Sequence, residues 1–423
     1  MKYQFFWSFT PKIYELLLNL TIGIAVINYL GPTEQGKIGF LINLCMLLSF
    51  LTTLGIGPVF SNFVSRSNNN NLISGKFKDS ISLRFCGYII FLIICFLFIY
   101  IIKPNLIVLA IPFLLGKLFF SLDIYYNFVE GQGRFKDYAI SKFFSLTLIN
   151  GFRLYCVDQK LDVFWVAVSY FLTDFLTFFM YFILYDKLQL FGLRFNYKKS
   201  LVLLKINYKL ALSTIVISLF TQLDIIIIGA VLGDREAGEF YASTRLATPL
   251  VFISAIVVST FFSSLSKKRM QNKWEYYELL SFISGGVALI YIMIVVVTVF
   301  AGKDIFYMFF SKEYTSAFNL FLIHIASLIF VFLGPISGKH LIIQRNYAAE
   351  LNKTFIASVI NVVLTLIAVF VYQNLYLVAL STATGYMIAN FGYFIYKKDW
   401  PFIFSLFRGM NPVFLVRYAN RIL

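Results

Sequence analysis

A small set of ionisable residues stands inside stretches that are otherwise apolar. Lys117 and Asp174 fall near the middles of two such stretches, and Asp224 lies inside a third. Glu15, Asp123 and Lys339 sit nearer one end of their stretches, and Arg153 and Arg245 nearer the other. A lone Lys or Asp at the centre of a membrane helix costs about 2.5–3.5 kcal/mol on insertion scales. Such a residue therefore needs an opposite charge, a hydrogen-bonding partner or a watery cavity. The cations Lys117, Arg153, Arg245 and Lys339 could hold an anionic group in such a cavity. The acids Asp174, Asp224 and Glu15 could carry a coupling proton or sodium ion. A blander reading stands beside each: residues near helix ends can snorkel to the interface, and central ones can pair structurally.

The elements that must position these residues are helices. The 423 residues are 60% hydrophobic and 13% charged, with 50 Phe and a mean hydropathy of +0.80. Soluble domains carry about 25% charged residues, so this composition cannot build a water-facing surface all round. Apolar runs long enough to cross a bilayer place spans at 12–31, 37–62, 83–102, 106–127, 139–156 and 163–186. A second set follows at 208–232, 243–266, 280–301, 318–343, 353–373 and 375–396. The runs are continuous rather than alternating, which excludes a β-barrel. Within the sixth span, Tyr170, Thr173, Asp174, Thr177 and Tyr181 recur at steps of three and four, so they share one face. In the seventh, Ser213, Thr221 and Asp224 do the same. These two faces are expected to line an internal cavity.

The net charge of +16 fits a basic membrane protein better than a nucleic-acid binder. Most of the 36 Lys and Arg residues fall on one side of the twelve spans. The other side holds Lys37, Lys103, Lys160, Arg235, Lys303 and Lys312. That bias puts both termini in the cytoplasm. The first apolar stretch has no small-x-small cleavage site and reads as a retained span. Cys45, Cys86, Cys95 and Cys156 lack CxxC spacing, and His324 and His340 alone make no metal site. No cofactor or metal is called for. EGQGR at 130–134 lacks the phosphate-loop pattern and reads as a turn.

The chain also repeats itself. LGPTEQG at 30–36 returns as LGDREAG at 232–238, so Gly31 and Gly36 match Gly233 and Gly238. Phe60-Ser61 and Arg66 match Phe262-Ser263 and Lys268; later, Arg134, Lys142, Phe144 and Ile149-Asn150 match Arg345, Lys353, Phe355 and Ile360-Asn361. Six spans per half give both halves one orientation, and such repeats are related by an axis along the membrane normal. The fold expected is thus an all-α polytopic membrane protein of about twelve transmembrane helices in two six-helix lobes, 1–205 and 206–400, related by that pseudo-two-fold axis. A cytoplasmic amphipathic tail follows at 401–423. The basic linker at 186–209 is expected to lie along the headgroups.

With the repeat in view, the segment TQLDIIIIGAVLGDREAGEFYASTRL resembles the seventh-helix block of Wzx-type polysaccharide flippases, members of the multidrug/oligosaccharidyl-lipid/polysaccharide exporter superfamily. The resemblance rests on Asp224, Leu232-Gly233, Gly238 and Tyr241. It implies alternating access and transfer of an undecaprenyl-pyrophosphate-linked oligosaccharide repeat unit, as in O-antigen or lipopolysaccharide biosynthesis, across the bacterial inner membrane. It also implies a polysaccharide polymerase and a chain-length regulator as partners. Only Asp224 and the glycines carry over by motif; the cations are assigned by position. The alternative within the superfamily is a multidrug or cation antiporter. A membrane-bound polymerase or glycosyltransferase is disfavoured, since no outer loop carries a carboxylate pair or a nucleophile with its base.

Overall fold

The computed structural model describes residues 2–67, 69–185, 192 and 197–422. These form helices, with no strand among the described residues. In chain order the first group is α1 (Lys2–Leu18), α2 (Ile24–Thr53), α3 (Ile56–Arg66), α4 (Asn70–Ile102), α5 (Ile107–Leu122), α6 (Tyr125–Gly131), α7 (Phe135–Asp158), α8 (Val163–Tyr185) and α9 (Tyr197–Val231). Then follow α10 (Asp234–Gln271), α11 (Lys273–Phe309), α12 (Ala317–Ile343), α13 (Tyr347–Phe370), α14 (Leu375–Met387), α15 (Tyr393–Tyr396), α16 (Trp400–Gly409) and α17 (Pro412–Ile422). Asn69, Asn272, Asn346 and Asn374 cap α4, α11, α13 and α14, each accepting from backbone N–H groups that would otherwise lack partners.

Nine helical segments among the described residues are long and apolar enough to cross a membrane. One of them, Thr10–Thr53, is 44 residues long, about 66 Å at 1.5 Å per residue and so enough for two crossings. It breaks at Gly31, whose φ of 67° and ψ of 173° are not helical. Pro32 follows, which disfavours helix in the residue before it and suits the first turn of the next. The remaining two expected spans are carried by α7 and by Leu375–Tyr396, where α14 and α15 join through a π-helical turn at Ile388–Gly392. Both are more polar than the rest, α7 through Lys142 and Arg153. The twelve expected crossings are thereby accounted for. One boundary differs: the second span, expected over 37–62, stops at Thr53 and resumes at Ile56, because Leu54 and Gly55 turn left-handed with φ of 49° and 66°.

The chain divides into two compact units, Met1–Gly238 and Glu239–Leu423. The first runs beyond the 205/206 boundary expected from the repeat because α9 packs along α2. Residues 186–191 and 193–196 of the expected interfacial linker lie outside the described residues; α9 begins immediately after them.

The core of the first unit gathers Phe60, Phe77, Tyr125, Phe128, Tyr181 and Tyr185, from α3, α4, α6 and α8. Beside it the buried Arg84 spreads its guanidinium over three carbonyls. Its Nε donates to Thr52 (3.2 Å), one terminal nitrogen to Asp123 (2.9 Å) and the other to Phe120 (2.7 Å). These oxygens lie at the C-terminal ends of α2 and α5, where carbonyls have no partner within the helix. One buried cation therefore joins three helices. In the second unit α16 lies on α11 at a glycine crossing: a methyl group on Gly285 would stand 2.2 Å from the Gly409 oxygen, and one on Gly409 2.2 Å from the Ser281 oxygen. With lipid outside there is little hydrophobic gain in helix association, and such close backbone approach supplies the packing instead. The tail helices α16 and α17 bury Phe402, Ile403 and Leu406 and leave Phe404, Phe407, Val413 and Val416 exposed.

Candidate functional site

The polar face of α8 meets two cations from neighbouring helices. Lys117 of α5 donates to Asp174 Oδ2 at 2.9 Å, with its ammonium 4.5 Å from the Phe120 ring centroid. Arg153 of α7 donates through Nε to Ser169 Oγ at 3.0 Å and stacks 4.7 Å from the Tyr170 ring centroid. Between them Thr173 and Thr177 return their hydroxyls to the Ser169 and Thr173 carbonyls, at 2.8 Å each. A turn further on, the buried Tyr181 hydroxyl has no hydrogen-bond partner among the described residues. Gly116 makes the α5–α8 approach possible, since a methyl there would stand 3.2 Å from Phe171 Cα and 3.3 Å from Asp174 Oδ2.

The Lys117–Asp174 pair is neither sealed nor free: its side chains are 17% and 19% exposed. Taking both charges out of water opposes their attraction, so the pair adds little net stability, yet removing one partner alone costs about 3–5 kcal/mol. Chemically, the face offers two cations and a row of hydroxyls, with one carboxylate neutralising the inner cation. Lys117 and Arg153 are thus both held on α8, at Asp174 and at Ser169 five residues earlier.

The other sequence candidates are placed as follows. In the second unit, Arg245 stands 4.0 Å from the Tyr241 ring centroid and Lys339 stands 4.6 Å from that of Phe262. Both cations are thus screened by aromatic faces, an arrangement worth about 0.5–1 kcal/mol at exposed sites. Asp224 is buried on α9. Glu15 is exposed on α1, one residue from Tyr14, whose hydroxyl bonds Thr147 at 2.8 Å.

The glycine blocks have a geometry of their own. Gly31 and Gly233 both break the helix with positive φ, 67° and 134°. Gly36 and Gly238 then bring their helices into backbone contact. A methyl on Gly36 would stand 1.6 Å from the Asp234 oxygen, and one on Gly238 1.8 Å from the Pro32 oxygen. Lys103, at the end of α4, forms an ion pair with Asp234 beside this crossing.

Several buried groups escaped the sequence reading. Arg84 is one, because nothing marks a basic residue near a helix end as buried. Lys353 is 3% exposed; it donates to Ser337 Oγ at 2.7 Å and pairs with Glu350 at 3.1 Å. Its match to Lys142 in the repeat was the available signal. His340 bonds Tyr276 through Nδ1 at 2.7 Å and Asp399 through Nε2 at 2.9 Å. At Asp399, in the turn before α16, burial pushes the carboxyl up. The bond and charge of His340, the Phe402 N–H and the charge of Arg269 outweigh it and hold the group below the usual carboxylate range.

Comparison with solved structures places this architecture. The lipid II flippase MurJ in an inward closed conformation superposes with a TM-score of 0.73 at 13% identity, covering 98% of this chain and 93% of that one. An inward-facing multidrug resistance transporter of the MATE family gives 0.65 at 16% identity, with 91% and 94% covered. A transporter of the same MOP superfamily from Pyrococcus furiosus gives 0.58 at 14% identity, with 94% and 95% covered. At these identities the likeness shows the fold. No curated protein sequence matches the chain. The profile of the polysaccharide biosynthesis protein family matches residues 3–267, well over half of the chain. The chain is therefore a multi-pass membrane protein with the fold of the MOP-superfamily transporters, and it belongs to the polysaccharide biosynthesis protein family.

Proposed function

We propose that this protein is a flippase. It carries an undecaprenyl-pyrophosphate-linked oligosaccharide repeat unit from the cytoplasmic to the periplasmic leaflet of a bacterial inner membrane, by alternating access and without covalent chemistry. The observation that carries the reading is α8, which holds Lys117 through Asp174 and Arg153 through Ser169 and Tyr170, in a chain of a polysaccharide biosynthesis family. A pyrophosphate is an anion with several acceptor oxygens, which suits a point cation beside a forked guanidinium. Arg245 and Lys339 are the further cationic candidates, in the second unit. Asp174, Asp224 and Glu15 are the candidates for ion coupling. Both termini lie in the cytoplasm, lobes 1–205 and 206–400 rock about the repeat axis, and the product passes to a polymerase with its chain-length regulator.

The test is complementation of surface polysaccharide, such as O-antigen, in a strain lacking its own flippase, normalised to membrane protein level. Restored display supports the reading. Full membrane expression without display, together with resistance to cationic drugs, would favour the multidrug antiporter suggested by the MATE-like fold.

A further inference from the structure

A second polar site lies on α3 and α6. Helices α3 and α6 border an open cleft of about 470 Å³ lined by Ser61, Asn62, Ser65, Arg66 and Glu130. Its shape is fixed from both ends. A methyl on Gly57 would stand 2.8 Å from Asn127 Nδ2, and one on Gly131 2.6 Å from the Ser61 oxygen. The same two helices bury Phe60, Val64, Phe128 and Val129 in the core. Both helices end here. α3 gives way to Ser67, and α6 runs into Gln132-Gly133-Arg134, so the cleft lies where helix passes into polar loop.

Two opposite charges share this cleft without joining. Arg66 forms no ion pair or hydrogen bond among the described residues, and Glu130 forms no ion pair. Ser65 donates to the Asn62 carbonyl at 2.8 Å, leaving its oxygen free to accept. A guanidinium with hydroxyl and amide neighbours suits a phosphate. A carboxylate in the same cleft repels a purely anionic ligand but accepts from an ammonium group.

We propose that the cleft is a site for a zwitterionic membrane lipid of the phosphoethanolamine type. Its phosphate engages Arg66 with Ser61 and Asn62, and its ammonium group engages Glu130. The proposal stands whether or not the flippase reading does.

The experiment is native mass spectrometry of the full-length protein released from nanodiscs of equal phosphatidylethanolamine and phosphatidylglycerol. Wild type should retain phosphatidylethanolamine roughly fivefold over phosphatidylglycerol, as expected for one charge contact. Glu130→Gln should erase that preference while retaining lipid. Arg66→Ala should lose both lipids, and Arg66→Lys should recover part of the binding. Both residues line an open cleft, so thermal unfolding of each variant should match wild type. Equal retention of the two lipids by wild type would overturn the proposal, as would unchanged retention in Arg66→Ala. A lipid-linked sugar bound in place of phosphatidylethanolamine, and lost in Arg66→Ala, would reassign the cleft to substrate.

Discussion

Gly36 and Gly238 meet through their backbones: a methyl on either would lie 3.0 Å from the other's amide nitrogen and within 2 Å of a carbonyl oxygen across the crossing. The contact is reciprocal. Gly36 approaches Asp234, the residue after Gly233, and Gly238 approaches Pro32, the residue after Gly31. The two copies of the repeated block are therefore packed on each other in matching register.

Gly36→Ala should force this crossing apart, because the obstructing atoms are backbone and cannot rotate away. Overpacking of this kind costs about 1–3 kcal/mol. In detergent, Gly36→Ala and Gly238→Ala should each lower the apparent melting temperature. The double variant should lose less than the sum, since the first methyl already separates the helices. Gly151→Ala is the control, with nothing within 4 Å of an added methyl. Equal melting of Gly36→Ala and Gly151→Ala would refute the argument.

Lys117→Ala strands Asp174 and should reduce membrane abundance, with a penalty of about 3–5 kcal/mol. Removing Asp174 as well, in Lys117→Met with Asp174→Leu, should restore abundance. Transport should stay lost in the double variant if Lys117 holds the substrate phosphate, and return if the pair is structural. Lys117→Arg should keep part of the activity. Full display by Lys117→Ala at normal abundance would exclude both roles.

The His340–Asp399 bond predicts a pH signature. The folded carboxyl is held below its ordinary value of 3.8. Its contribution is thus complete above the unfolded pKa of about 3.9 and disappears as pH falls through the lower folded value. Asp399→Asn should melt below wild type at pH 7, and the gap should close under strongly acidic conditions. A gap that stays constant down to pH ~3 would contradict this assignment.

Topology is open to reporter fusions at Lys267 and Lys303, in α10 and α11. One crossing separates them, so the reporters should give opposite sides, Lys267 cytoplasmic. Agreement between the two would break the twelve-crossing arrangement.

Much of this was legible in the sequence. Charges at mid-span are scarce enough that Lys117 and Asp174 could each be singled out before their helices were placed. Gly31 announced its break because proline follows it. The break at Leu54 had no such warning, since a leucine in left-handed geometry is held by its surroundings. Arg153 and Tyr170 were both visible, but nothing in their spacing pairs them, and Ser169 is too common in membrane helices to stand out. Arg84 bonds only to carbonyls, which every residue carries, so no side-chain pattern could point to it.

The glycine crossing also bears on ancestry. An isologous contact, in which residue i meets j and j meets i, is the geometry of a two-fold homodimer. In a homodimer of one such block, a single glycine would supply both sides of the crossing, and a single mutation would strike it twice. Fusion halves that exposure and frees the flanks. Pro32 and Asp234 contribute only carbonyls to the crossing, so their side chains have been free to diverge, and Asp234 has acquired Lys103. The glycines have no such latitude, because each is confined by the other copy's main chain.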